Sequence, residues 1–149
     1  MKRKPIGKRE LKQHIRFDKS SNTAAVSNAV SSVISFTAHE EIAADRGVSI
    51  GSDGEAYVAT LLKPVTGIST AYTPADALIP VVVTGVETID DAAFTIGADV
   101  WLCEPDGITG LNMTTTPPTV TAGQYTQRLG RAITAASMLI EVGAAVICE

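Results

Sequence analysis

The sequence predicts an all-β fold, a mainly antiparallel β-sandwich or small barrel, with an extended N-terminal arm. Runs of β-branched residues, such as the three valines 81–83, fit the pleated surface of a buried strand. Between Pro80 and Leu102 such runs are separated only by glycine and acidic turn signals, so no helical crossover fits between them. Basic residues concentrate at the N-terminus, which distinguishes an arm from an acidic body.

The arm comprises residues 1–19. It holds eight Lys or Arg and two acidic residues, for a net charge of +6, whereas the other 130 residues hold four basic and fourteen acidic residues, for −10. This asymmetry predicts that the arm contacts an acidic partner, which is nucleic acid, an acidic protein surface or a neighbouring copy of the chain. The predicted partner-binding residues are seven of its eight cations and two apolar side chains: Lys2, Arg3, Lys4, Lys8, Arg9, Lys12, Ile15, Arg16 and Phe17.

A segment rich in Ser, Ala and Val, residues 20–35, follows the arm. We interpret it as a linker that becomes a strand between Val30 and Phe36. The alternative is an Ala-rich helix from Thr23 to Val33, which serine density and β-branching disfavour. Residues 1–35 are therefore predicted as arm and linker, and residues 36–149 as one β-rich domain.

The first part of that domain has a clear order of strands and turns. A strand at Val48–Ile50 and a returning strand at Ala56–Thr60 flank Asp53-Gly54, which indicates a hairpin. Further strands are predicted at Ile68–Thr70 and Ala77–Val83. Gly85 predicts a bulge or bend, after which an extended run continues to Ile89.

The second part repeats this order. A strand at Val100–Cys103, an Asp106-Gly107 turn and a returning strand at Ile108–Leu111 precede a polar loop at Met113–Ala122. Extended runs then follow at Gln127–Thr134, Ser137–Val142 and Ala144–Cys148. The repeat predicts two equivalent halves that close one core, with about eight inserted residues in the polar loop; chance recurrence of turn chemistry is the alternative.

Candidate catalytic chemistry is sparse. The chain lacks the glycine-rich phosphate and dinucleotide motifs and the Gly-x-Ser-x-Gly motif, so we expect neither an enzyme nor a cofactor. A metal site needs three or four converging ligands, so we interpret His39-Glu40-Glu41 as a solvated acidic turn. Asp90-Asp91 is likewise predicted to begin a turn.

The two cysteines, Cys103 and Cys148, are too few for a disulfide scaffold and are predicted to be buried free thiols. They would pair only if the last strand lay beside the strand from Val100. No apolar run reaches the length of a membrane span, so no membrane association is expected. The polar, basic N-terminus is not typical of a secretory signal.

Five segments between Ile42 and Val146 occur in a characteristic order. They are ADRGVSI with its Asp-Gly turn, VTGIST, IPVVVTGVETI, FTIGADVWL with the second Asp-Gly turn, and QRLGRAITAASMLIEV. In this order, over about two-thirds of the chain, the sequence resembles the small bacteriophage capsid cement, or head decoration, proteins. Residues 1–35 lie outside the resemblance.

The resemblance implies a β-rich structural virion protein on the exterior of the phage head, assembled in the host cytoplasm. It implies the major capsid protein as partner and a homo-oligomer, with a trimer favoured. One alternative is a tail or fibre component with an adhesion role. A nucleic-acid-binding protein is disfavoured because the acidic body would repel a duplex and only Phe17 of the arm offers a stacking surface.

Overall fold

The computed structural model describes residues 31–149, and within them the chain forms strands, turns and loops without a helix. The predicted all-β fold is therefore confirmed. No helix that could cross a membrane occurs in this range. The strands are β1 (Ser32–Thr37), β2 (Gly47–Ile50), β3 (Ala56–Val58), β4 (Gly67–Ser69), β5 (Leu78–Thr88), β6 (Asp99–Leu102), β7 (Met113–Thr114), β8 (Tyr125–Thr126), β9 (Arg128–Ala132), β10 (Ser137–Glu141) and β11 (Val146–Ile147).

One large sheet has the strand order β3-β2-β4-β5-β10-β9-β6-β7, with β1 added beside β5, and β8 and β11 pair separately. All paired strands are antiparallel. The sheet curls because the chain beyond β1 returns to the edge strand β3, where Ala38 bridges Ala56 and the His39 amide donates to the Ala56 carbonyl at 2.9 Å. The result is a half-barrel.

The long strand β5 joins the two ends of this sheet. Its first part pairs with β1 and β4, and its second part, from Thr84, pairs with β10. Gly85 lies at the change of partner with a φ of 132°, and β5 continues through it without a break. The register shift between β1 and β5 lies just before it, between Val82 and Thr84. A side chain on Gly85 would collide with Ser31, so the close approach of the chain entering β1 also requires glycine.

Two apolar clusters stabilise the half-barrel. The larger one combines Ile68 and Val82 with the inward residues of β6, β9 and β10, and the smaller one lies on the opposite face of β2–β5. Residues beyond β1, including Ala38 and Ile42, cover this smaller cluster. Both clusters are built mainly from aliphatic side chains, as the low aromatic content requires.

The predicted repeat is confirmed in the pairing order, because β3-β2-β4-β5 is mirrored by β7-β6-β9-β10. The predicted position of the insertion was only partly right. Both connections of the second half are longer: 103–112 replaces 51–55, and 115–127 replaces 59–66. The extra residues are therefore shared between the turn loop and the polar loop.

The returning strand predicted at Ile108–Leu111 was wrong. The Asp106 carboxylate accepts the amides of Ile108 and Thr109 at 2.7 and 2.9 Å, and the Gly110 amide donates to the Asp106 carbonyl at 2.8 Å. These bonds hold the segment in a turn and leave Ile108 95% exposed. The returning strand is β7, which begins two residues after Leu111.

Two buried carboxamides connect the halves. Asn112 accepts from the Gly47 amide at 2.8 Å and donates to the carbonyls of Gly47 and Ala59, both at 2.9 Å. Gln127 accepts from the Val65 amide at 2.7 Å and donates to the Val65 carbonyl at 2.9 Å. Both carboxamides belong to the second half, and each forms hydrogen bonds with backbone groups of the first half. These bonds fix the two halves against each other.

The cysteines are free, as predicted, but half-buried rather than buried. The last strand β11 pairs with β8 and not with β6, so the condition for a Cys103–Cys148 bridge is not met. Partial burial, followed by Glu104 and Asp106, raises the pKa of Cys103 to about 11. Cys103 is therefore a poor nucleophile at neutral pH.

The predicted boundary between residues 35 and 36 lies inside β1. The helix considered for Thr23–Val33 is wrong for its last two residues, which are in β1, and its remainder is outside the described part of the chain apart from Ser31. The predicted partner-binding residues of the arm, from Lys2 to Phe17, also lie outside the described residues.

Candidate functional site

The strand β1 presents an apolar sheet edge. Its sequence SVISFT has no charged residue, and Val33 and Ile34 are 55% and 48% exposed although they point to opposite faces. One edge of β1 pairs with β5 from Leu78 to Thr84. Among residues 31–149 no strand pairs with its other edge. The backbone groups of that edge are therefore free within the described chain to bind another strand.

The other edges of the large sheet are less suited to strand addition. β7 has two residues and β3 has three. β3 is also flanked by charged groups, since Glu55 precedes it and the Lys63 ammonium lies 4.4 Å from the centre of the Tyr57 ring. Short and charged edges resist pairing with other chains, whereas β1 is longer and uncharged. This contrast identifies β1 as the candidate interaction edge.

The described part of the chain is acidic overall. Its four Lys and Arg residues are largely engaged: Arg46 is buried and lies 3.2 Å from Asp91, and Arg128 lies 2.8 Å from Asp99 and 3.6 Å from Glu141. Arg131 contributes a weaker contact to Asp99 at 3.9 Å. Most of the fourteen acidic residues therefore have no cation beside them in the described chain. The body is suited to a basic partner rather than to a polyanion.

A second candidate site lies on the hairpin of β2 and β3. Nδ1 of His39 lies 2.6 Å from a carboxylate oxygen of Glu55, and a carboxylate oxygen of Asp53 completes a group whose ligand atoms lie within 4.8 Å of one another. All three side chains reach solvent. We call His39, Asp53 and Glu55 the hairpin triad.

Tyr57 orders this triad. Its hydroxyl donates to Asp53 at 2.6 Å, and its ring stacks on His39 with 4.5 Å between centroids. The hydrogen bond to Asp53 raises the pKa of Tyr57 to about 12, and the same bond is the main cause of a lowered pKa at Asp53. Asp53 therefore remains a carboxylate, and Tyr57 remains a hydrogen-bond donor, over the whole neutral range.

The sequence grouped His39 with Glu40 and Glu41, and the structure separates them. Glu40 accepts the Val58 amide at 2.8 Å, and His39 turns instead to the hairpin. The partners of His39 are 14 and 16 residues away, and the Ala38–Ala56 bridge brings them together. No local sequence motif indicates this bridge, so the triad was not predicted from the sequence. Asp90-Asp91 forms the predicted turn, with Asp91 at a φ of 66°.

The arm residues predicted to bind a partner, from Lys2 to Phe17, lie outside the residues that the structure describes. The described chain begins at Ser31, which lies against Gly85 at the start of β1. Comparison with protein-family models found none that matches the chain, and comparison with curated proteins found no match.

Proposed function

We propose that this chain is a structural virion protein that binds the outside of a bacteriophage head and stabilises the lattice of the major capsid protein. The observation that carries the proposal is the apolar edge of β1, which follows the basic arm and its Ser/Ala-rich linker in the chain. An acidic β body with an apolar, uncharged sheet edge and a cationic segment suits a protein that attaches to other proteins. The ordered segments that resemble capsid cement proteins give the proposal its biological setting.

In this proposal the arm and β1 act together. The cations of residues 1–19 attract acidic coat-protein surface, and β1 offers main-chain hydrogen bonds and apolar side chains such as Ile34 to an extended segment. Individually weak contacts of this kind gain avidity when repeated over a symmetric shell. A homotrimer would multiply them further, and we include it in the proposal.

Head binding of designed variants tests the proposal. Purified heads that lack the protein are mixed with wild-type chain, with Ile34→Lys, and with a chain lacking residues 1–19, and bound protein is measured after sedimentation. We expect both changes to reduce binding at least tenfold at physiological salt, because a charge blocks strand addition and the deletion removes the cations. Ile108→Lys is the matched control, since it makes the same change at a solvent-exposed loop residue.

Circular dichroism must show that each variant retains its β structure. Wild-type binding by both Ile34→Lys and the deletion variant would contradict the proposed surface. Electron microscopy that places the protein at the tail would contradict head binding. A complex with duplex DNA in a low-salt gel shift would favour the nucleic-acid alternative instead.

A further inference from the structure

We infer that the hairpin triad, His39, Asp53 and Glu55, binds a divalent transition-metal ion of the Zn²⁺ type. The inference concerns a part of the molecule separate from β1 and is independent of the proposed function. One imidazole nitrogen and two carboxylate oxygens are a ligand set that Zn²⁺, Co²⁺ and Ni²⁺ accept, with water completing the coordination. Ca²⁺ prefers a larger set of oxygen ligands and is not expected to bind.

The geometry needs only a small adjustment. With metal–ligand bonds of about 2.0–2.2 Å, neighbouring ligand atoms lie roughly 3–3.5 Å apart. The triad atoms lie within 4.8 Å of one another, so the more distant pairs have to approach by up to about 1–2 Å, while the 2.6 Å contact between His39 and Glu55 has to widen. Both of these side chains are partly exposed, at 52% and 36%, so they can separate without disturbing the core.

Two of the three ligands, His39 and Asp53, are held by contacts with residues outside the triad. The backbone of His39 is fixed by its amide bond to the Ala56 carbonyl, and its ring is held by stacking on Tyr57. Asp53 accepts the Tyr57 hydroxyl through one oxygen and the Glu55 amide through the other. Partners of this kind orient ligands and raise metal affinity.

The charge of the triad also favours a cation. Two carboxylates converge with one imidazole, and the ammonium of Lys63 lies over the neighbouring Tyr57 ring instead of forming an ion pair with Asp53 or Glu55. Like charges that lie this close repel each other, and a bound metal would remove that repulsion. It would also join the segment after β1 to the hairpin.

Calorimetric titration of the full chain with Zn²⁺ alone tests the inference, with Co²⁺ absorption as a second readout. We expect one saturable site per chain, a visible Co²⁺ spectrum, and loss of both in His39→Ala. Tyr57→Phe keeps every ligand but removes the bond that orients Asp53, and it should weaken binding about tenfold.

Two matched controls locate the site. His14→Ala removes the other histidine of the chain, and Glu41→Gln removes a carboxylate close to His39 in sequence but absent from the triad. Both should bind Zn²⁺ like wild type. The inference is overturned if the wild-type chain shows no saturable site, if His39→Ala binds normally, or if either control abolishes binding.

Discussion

The first half of the sheet, β2–β5, buries both of its faces, whereas the second half, β6, β7, β9 and β10, buries only one. In the first half, Val48 and Ile79 face the smaller cluster under the segment after β1, while Ile68 and Val82 face the larger one. The outer face of the second half instead carries the ion pairs of Arg128 with Asp99 and Glu141. The two halves thus share a strand order but differ at their outer faces. Within residues 31–149, only the first half is preceded by a segment that covers its outer face.

This difference indicates which contacts stabilise each half. The first half has an apolar layer on either side, so its sheet is fixed by burial from two directions. The second half depends on the shared cluster and on the carboxamides of Asn112 and Gln127, which are bonded to first-half backbone. Its exposed ion pairs add little, since partly solvated pairs contribute about 0–1 kcal/mol.

The largest expected effect comes from glycines at matching positions of the halves. A methyl group on Gly130 would collide with the Leu139 carbonyl of β10, and one on Gly67 would lie 2.5 Å from the Val82 carbonyl of β5. Gly130→Ala should lower the free energy of unfolding by about 3 kcal/mol or prevent folding, and Gly67→Ala by about 1–3 kcal/mol. Urea denaturation measures both.

Gly107→Ala is the control for these changes, because a methyl group there meets no atom within 4 Å. It should alter stability by no more than about 0.5 kcal/mol. If Gly67 and Gly130 both tolerated alanine as well as Gly107 does, the close strand contacts that we assign to the two halves would be wrong.

Truncation of apolar side chains distinguishes the two outer faces. Ile79→Ala removes a fully buried side chain from the smaller cluster and should cost about 2–5 kcal/mol, and Ile140→Ala, in the larger cluster, should cost a similar amount. Leu139→Ala lies on the half-buried outer face of the second half and should cost less than about 1.5 kcal/mol. Thermal or urea unfolding of the three variants, each compared with wild type, gives the ranking. Equal losses at Ile79 and Leu139 would mean that the outer faces do not differ.

The smallest effect is a pH dependence of stability at Glu87, in the part of β5 that pairs with β10 of the second half. Burial, and then repulsion from Asp45, raises the pKa of Glu87 on β5. Because the folded pKa is raised, the folded state is favoured when Glu87 is protonated, and this contribution is lost as pH rises through the folded pKa. Glu87→Gln should therefore raise stability at pH 7, by up to about 0.5 kcal/mol, and change it little at pH 4.

Urea midpoints at the two pH values measure this difference, with Glu149→Gln at the exposed C-terminal residue as the control. A Glu87→Gln variant that is less stable than wild type at pH 7 would show that the folded state stabilises the carboxylate. An equal change in stability at both pH values would show that the change does not depend on the ionisation of Glu87.

Strand positions and tight turns were accessible from the residues alone. The strand Val48–Ile50 and the Asp53-Gly54 hairpin were predicted because alternation, β-branching and turn residues act over a few neighbouring residues. Ile108–Leu111 was predicted incorrectly because an Asp-Gly pair indicates a turn but not its length. The hydrogen bonds of Asp106 extended that turn beyond the expected hairpin.

Local chemistry thus determined the class of fold, the repeat and the division between a basic arm and an acidic body. Pairing between distant segments decided the rest: β10 beside β5, β1 as an open edge, and His39 beside Asp53 and Glu55. The reason is physical, because a strand pattern specifies which face is buried but not which strand will be its neighbour. That choice is made by the packing of the whole chain, and both candidate sites depend on it.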